Sequence, residues 1–494
     1  MVLSKGLRPW AAASLAALSA CAVGPNFKRP AAPTAADYGT APAAGATAAS
    51  PVTGGDEQRF VAGLDIPGQW WTLFKSPKLT GLVEQALKAN PDITAAQAAL
   101  RRAQDLYKAQ RTSLLPTVQG GFDATRAKNA VDTIANPTSL PQSNPYYNLY
   151  TAQLNLSYSP DVFGGLRRSL EASRAGVEAT RYELIATYVT LSSNVVTTAV
   201  QEAALRGQIT ATERLLELQR KLTDTVRGQL GIGTASDLDL LAQQAAEAQT
   251  AATLPPLEKQ LGLTRDALTA LLGQLPSAEP AETFRLEDLT LPQELPVSLP
   301  SRLIEQRPDV RQAEENLHAA SAGVGVALAN MLPQFQISAD TGSAALAIGH
   351  LFTPYTGFWD VGASLTQTLF DAGALIYRHR AADDALDQAG AQYRAAVILA
   401  CQNVADTLRA LQADAQALKA SAAADRAAKA LFDLAVKQHE IGTLSVVALL
   451  NAEATYQQAE LALVQAEANR YADTAALFQA LGGGWWNLPG ATFK

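Results

Sequence analysis

The sequence predicts a mainly α fold joined to a membrane β-barrel. Three observations predict it: an internal duplication, two proline-free stretches far longer than ordinary helices, and four segments that alternate polar and apolar positions. Composition agrees with a packed protein, since 48% of the 494 residues are hydrophobic and 17% charged, which excludes a disordered or collagen-like chain. With 39 Lys and Arg against 46 Asp and Glu, the formal charge of −7 has the wrong sign for a general nucleic-acid binder.

Residues 1–20 come first. Lys5 and Arg8 make a positive start, residues 10–17 an apolar stretch, and Leu18-Ser19-Ala20 closes it with small side chains before Cys21. The pattern resembles a bacterial lipoprotein signal, which implies diacylglycerol on the Cys21 thiol, cleavage before it and acylation of the new amino terminus. Ala22 stands where an Asp would favour inner-membrane retention in such lipoproteins, so the outer membrane is the expected site. Residues 30–55 are Ala, Pro, Thr, Gly and Ser with few large apolar groups, and we read 21–60 as a lipid-anchored tether. Past Cys21 no apolar uncharged run reaches the ~18 residues a membrane helix needs, so any membrane span must use strands.

The duplication follows. Asn90-Pro91-Asp92 matches Arg307-Pro308-Asp309 and Leu115-Pro116 matches Leu332-Pro333, both 217 residues apart. Further on, Ile232-Gly233-Thr234 matches Ile441-Gly442-Thr443 and Leu272-Gly273 matches Leu481-Gly482, both 209 apart. A constant offset on either side of one insertion describes a repeated unit with one longer loop, giving repeats at 61–275 and 301–482, a linker at 276–300 and a tail at 483–494. In each half the proline-free stretch, 166–229 or 374–440, would make a helical rod of ~100 Å at about 1.5 Å per residue, which no single globular core could cover. Such helices must pack along one another, as antiparallel coiled-coil pairs meeting near 231–236 and 440–445.

Between the helices the period becomes two. Tyr150, Ala152, Leu154, Leu156 and Tyr158 share one face against Thr151, Gln153, Asn155 and Ser157, and Trp359, Val361, Ala363 and Leu365 share one against Asp360, Gly362, Ser364 and Thr366. Their partners at 117–126 and 334–343, with turn-rich segments around Asn136-Pro137 and Thr353-Pro354, make hairpins at 117–158 and 334–368. Four strands cannot close a barrel, and an open edge in lipid leaves backbone groups unpaired, so other subunits must supply the rest. A dimer's eight strands would be filled by side chains, whereas a trimer's twelve leave a lumen, which the polar faces favour.

These residues carry a resemblance over essentially the whole mature chain. Cys21-Ala22-Val23-Gly24-Pro25-Asn26-Phe27, Trp70-Trp71, 82–92, Leu299-Pro300-Ser301, Arg307-Pro308-Asp309 with Ala313-Glu314, Leu332-Pro333 and the tips at 233–239 and 442–451 resemble, in this order, an outer membrane factor of the TolC type. The branch resembled is the lipoproteins of resistance-nodulation-division multidrug efflux systems. The resemblance implies a homotrimer with a 12-stranded outer-membrane barrel and a 12-helix periplasmic tunnel. It implies a passive conduit, gripped at its tip by a periplasmic adaptor (membrane fusion) protein and fed by an inner-membrane pump. It further implies adaptor docking at Gly233, Ser236, Asp239, Gly442, Thr443 and Ser445, and a gate at Val447 and Asn451. Gln229 replaces the basic residue expected before the first tip, with Arg227 nearby. Asn451 stands for the relatives' acidic latch residue and Ala454 for its Arg partner, so a salt bridge cannot close this gate and an apolar, hydrogen-bonded latch is expected.

The remaining candidates read blandly. Cys401 reads as a small buried helix residue, and Gly323-Val324-Gly325 as close packing in a helix. His318, His350, His379 and His439 show no metal spacing, and no nucleophile or carboxylate pair forms a catalytic constellation, so neither an enzyme nor a cofactor is expected. A TolC-type channel for protein secretion or another non-multidrug export system is the nearest alternative; a non-conducting scaffold would not need two bilayer-length hairpins.

Overall fold

The computed structural model describes residues 22–34, 37–39, 45–128, 146–488 and 493. The leader, Cys21 and the turn at Asn136-Pro137 lie outside the described residues. In chain order the elements are β1 (Arg59–Ala62), α1 (Pro77–Ala89), α2 (Pro91–Thr112), β2 (Thr117–Lys128), β3 (Tyr146–Tyr158), α3 (Gly165–Gly231) and α4 (Asp237–Leu271). There follow β4 (Glu294–Val297), α5 (Pro300–Gln306), α6 (Pro308–Ala329), β5 (Gln334–Ala345), β6 (Gly357–Thr366), α7 (Ala374–Glu440) and α8 (Val446–Ala480). The duplication is visible in the lengths: α3 and α7 each have 67 residues, and α4 and α8 each have 35.

Two compact units make up the chain. One, which includes Arg101–Glu178 and Glu315–Ala391, holds the four-stranded sheet β2-β3-β5-β6, antiparallel throughout. Register settles which side chains share a face. Val118 lies opposite Leu156, Leu156 opposite Ala339 and Ala339 opposite Val361, so the apolar positions of all four strands form one surface. Phe122, Leu154, Trp359 and Leu365 extend it, and each is more than half exposed. The other face carries the row Gln119, Asn155, Asp340, Asp360. An exposed apolar surface backed by polar side chains is the pattern of a sheet with lipid on one side and water on the other. Among the described residues β2 and β6 are edge strands. No helix among them is long and apolar enough to cross a membrane.

The second unit includes Pro30–Leu100, Ala179–Glu314 and Gln392–Lys494. Here the repeated landmarks acquire a reason. Proline opens α1, α2, α5 and α6 because the first helical position needs no N–H donor. The residue before the second proline then reaches the end of a long helix: Asn90 Nδ2 donates to Leu271 O at 2.9 Å, and Arg307 Nη1 to Ala480 O at 3.0 Å. Gly273 and Gly482 follow those helices with positive φ, and a Cβ there would fall 2.5 Å from Ala89 O and 2.4 Å from Gln306 O. The Asn/Arg-Pro-Asp and Leu-Gly motifs are thus two halves of one contact, made once per repeat.

Aromatic side chains fill this unit's core, with Trp70 stacked on Phe478 at 5.3 Å and Trp71, Phe74 and Tyr471 buried beside them. Part of the segment read as tether is packed here, which corrects that expectation for residues 45–60. Thr47 and Gln58 are buried, and β1 pairs parallel with β4. Arg470, with no exposed surface, donates to Thr47 Oγ1 and to the carbonyls of Gly54, Asp56 and Leu411. Composition did not anticipate this because hydrogen bonds from buried Arg470 and Gln58 and the β1–β4 pairing, rather than hydrophobic area, hold the segment. Pro255 and Pro256 lie inside α4, and the helix continues through them although each forgoes a backbone bond.

Candidate functional site

The two helix-turn-helix tips are built by the same local chemistry. α3 ends at Gly231, Gly233 takes φ +74° and its N–H donates to Leu230 O at 3.0 Å, while Thr234 N–H and Oγ1 both donate to Gln229 O, at 2.9 and 3.1 Å. In the second tip Gly442 takes φ +75° and donates to His439 O at 2.9 Å, while Thr443 N–H and Oγ1 reach Gln438 O at 2.9 and 3.0 Å. Glycine is needed at both turns because an L side chain at that φ is strained. Gln229 thus serves the turn through its carbonyl. Arg227, the neighbouring cation, pairs with Asp224 one turn earlier.

The following helices start differently. Ser236 caps α4 through a reciprocal box: Asp239 N–H donates to Ser236 Oγ at 3.2 Å, and Ser236 N–H and Oγ–H donate to Asp239 Oδ2 at 3.0 and 2.7 Å. The Ser236 hydroxyl, followed by its amide, holds the Asp239 carboxyl below the usual carboxylate range. Ser445 caps α8 with a single bond from Ala448 N–H at 3.3 Å, because alanine occupies the position of Asp239. His439, 5% exposed, adds a contact from Nδ1 to Leu444 O at 3.1 Å. As a single histidine outside any metal pattern, it gave the sequence reading no signal.

Both tips present apolar side chains to solvent: Ile232 and Leu238 on the first, Ile441 and Val447 on the second, are each more than 60% exposed. Val447, Asn451 and Ala454, spaced i, i+4 and i+7, form one exposed stripe of α8. Asn451 accepts the Thr455 hydroxyl at 2.7 Å through its backbone carbonyl. The opposite side of α8 is packed: Leu449 and Ala452 form a buried cluster with Leu222 of α3 and with Phe432 and Ala435 of α7.

The segment after Cys21 is docked within its own unit. Buried Arg168 donates to Val23 O at 3.1 Å, Gly24 O at 3.2 Å and Asn26 Oδ1 at 2.7 Å, and Phe27 stacks on His318 at 4.3 Å. Gly24 takes φ +91°, where a Cβ would fall 2.4 Å from Gly325 Cα. Close packing therefore explains Gly325, whereas a Cβ on Gly323 would meet nothing within 4 Å. Cys401 is a free thiol of intermediate exposure rather than fully buried. No metal-ligating cluster occurs among the described residues.

The family profile described as Outer membrane efflux protein matches residues 82–274 and 299–483. The chain is 29% identical over 422 residues to the pyoverdine export outer membrane protein OpmQ of Pseudomonas putida, covering 85% of this chain and 89% of that protein. It is 27% identical over 478 residues to the toluene efflux pump outer membrane protein TtgC of Pseudomonas putida, covering 96% and 94%. Among solved structures, the outer-membrane channel OprN superposes with a TM-score of 0.83 at 28% identity, covering 94% of this chain and 100% of that one.

Proposed function

The chain belongs to the outer membrane efflux protein family, and on that premise we propose that it is the outer-membrane channel lipoprotein of a tripartite efflux system. It acts as a passive homotrimeric conduit, receiving cargo from a periplasmic adaptor and an inner-membrane pump. The observation that carries this reading is the four-stranded sheet, apolar on one face, polar on the other and, among the described residues, unpaired at β2 and β6. An unpaired edge in lipid costs several kcal/mol per group, and three copies supply the twelve strands that close around water. Lipid on Cys21 anchors the chain beside the barrel, a role the docked segment that follows it supports.

In this reading Val447 forms an apolar ring around the aperture and Asn451 latches it by hydrogen bonding. Gly233, Ser236, Asp239, Gly442, Thr443 and Ser445 hold the turns that an adaptor grips, and the exposed Ile232, Leu238 and Ile441 supply apolar contact. Pyoverdine and toluene, the cargoes in the relatives' names, are small molecules, which supports export of drugs or other toxic small molecules over protein secretion. The test is the mass of the detergent-extracted protein and its conductance in planar bilayers, with Val447→Ser and Asn451→Ala. A trimer whose basal conductance rises in both variants is expected. Unchanged conductance together with unchanged antibiotic sensitivity in both would remove the gate assignment.

A further inference from the structure

Two residues past the exposed stripe's second member, the second tip carries a carboxylate where a coiled coil calls for an apolar side chain. Glu453 is 2% exposed, and neither of its carboxylate oxygens has a partner within 3.5 Å among the described residues, Gln219 lying just beyond. Its neighbour in sequence, Ala452, belongs to the buried seam in which α8 packs on α3 and α7. The polar group beside it is Gln219 of α3, 3% exposed, whose Oε1 is also without a partner. Buried acceptor oxygens thus face one another here, and the Gln219 side chain is the group that opposes the effect of burial on Glu453. An ionised carboxylate here would be a buried charge with no counter-ion.

The groups that could compensate it are engaged elsewhere. From α7 the nearest seam residues, Phe432 and Ala435, are apolar. Asp425 and Lys429 of α7 and Arg214 of α3 act on Glu460, two turns further along α8, and Asp425 and Asp433 on Tyr456. Among the described residues burial and the Gln219 side chain act on Glu453, and no cation does.

We propose that Glu453 is a pH-operated brake on the aperture. Neutral, it lets α8 lie against α3 as in this structure; ionised, it draws water into the seam and releases the α7–α8 hairpin to move. The proposal rests on the conduit reading for what the movement opens. Burial pushes the Glu453 carboxyl up to about 7 from an ordinary 4.5, opposed by Gln219. The sign follows: the packed form binds the proton more tightly, so it is fully favoured below the ordinary value and loses that advantage as pH rises through about 7. The largest shift in the closed-to-open ratio across that window is ~10²-fold.

The test is single-channel recording of the purified, acylated trimer between pH 5 and 8. Open probability should rise with pH in the wild type. Glu453→Gln, neutral at every pH and nearly the same shape, should hold it at the acid level and remove most of the slope. Gln219→Lys, which places a cation beside the carboxylate, should move the midpoint to lower pH. A wild type that conducts with no pH dependence overturns the brake and leaves the conduit reading intact, as does a Gln variant with the wild-type slope. A folded trimer that conducts at no pH overturns the conduit reading, and the brake with it.

Discussion

Leu449 and Leu240 occupy the same position in the two repeats, 209 residues apart, yet Leu449 has no exposed surface and Leu240 is only half-buried. Replacing Leu449 by alanine deletes side-chain carbons worth about 0.8 kcal/mol each and leaves a cavity among Leu222, Phe432, Ala435 and Ala452. The expected cost is about 3 kcal/mol, charged to the packing of the second tip. Leu240→Ala, removing carbons already in partial contact with water, should cost about 1 kcal/mol. Limited proteolysis of the purified protein reads this difference, because cleavage at the 440–445 turn tracks the opening equilibrium when closing outruns cutting. Leu449→Ala should accelerate cleavage ~10²-fold, and Leu240→Ala should accelerate cleavage at the first turn only ~5-fold. Cleavage of Leu449→Ala within threefold of the wild type, or equal effects in the two tips, would refute the claim that the repeats bury this position differently.

Other consequences are as direct. Ser236→Ala breaks a reciprocal cap and should lower local stability by about 1 kcal/mol, whereas Ser445→Ala breaks one longer bond and should cost less; hydrogen exchange of the first-turn amides of α4 and α8 measures both. Val361→Arg puts a charge on the apolar face at about 2–4 kcal/mol and should abolish the folded protein in the outer membrane, while Ser364→Arg on the polar face should be tolerated; membrane fractionation and immunoblotting measure both. Burial, followed by Glu287 and Asp425, pushes Glu467 up to about 7, so its neutral form belongs to the native state. The stability it contributes is fully present below the ordinary carboxylate value and is lost as pH rises through about 7. The thermal midpoint should therefore fall between pH 5.5 and 8, and Glu467→Gln, followed by circular dichroism, should flatten that fall.

Much of this molecule is written locally. Proline absence with Ala and Leu enrichment marks α7 over the same residues, 374–440, that the structure makes helical, because helix propensity and periodicity act within a few turns. Alternation marks the strands for the same reason: side chains of a strand must point to opposite faces whatever surrounds them. The glycine turns at Gly233 and Gly442 were legible because the demand for positive φ is carried by one residue.

What the chain alone could not reveal depends on residues far apart in sequence. Arg470 fastening Thr47 and Asp56, Arg168 holding Val23 and Asn26, and the two ends of the Asn/Arg-Pro-Asp and Leu-Gly contact all require the fold to bring the partners together. The same holds at the tips, where identical turn chemistry gave no warning that Glu453 would be buried or that Leu449 and Leu240 would differ in exposure. The sequence by itself determined the repeat, the helices, the strand faces and the turns, because each is set by backbone preferences over a few residues. Only the tertiary structure decided which of the repeated positions are desolvated, because burial is a property of what packs against a residue and not of the residue itself.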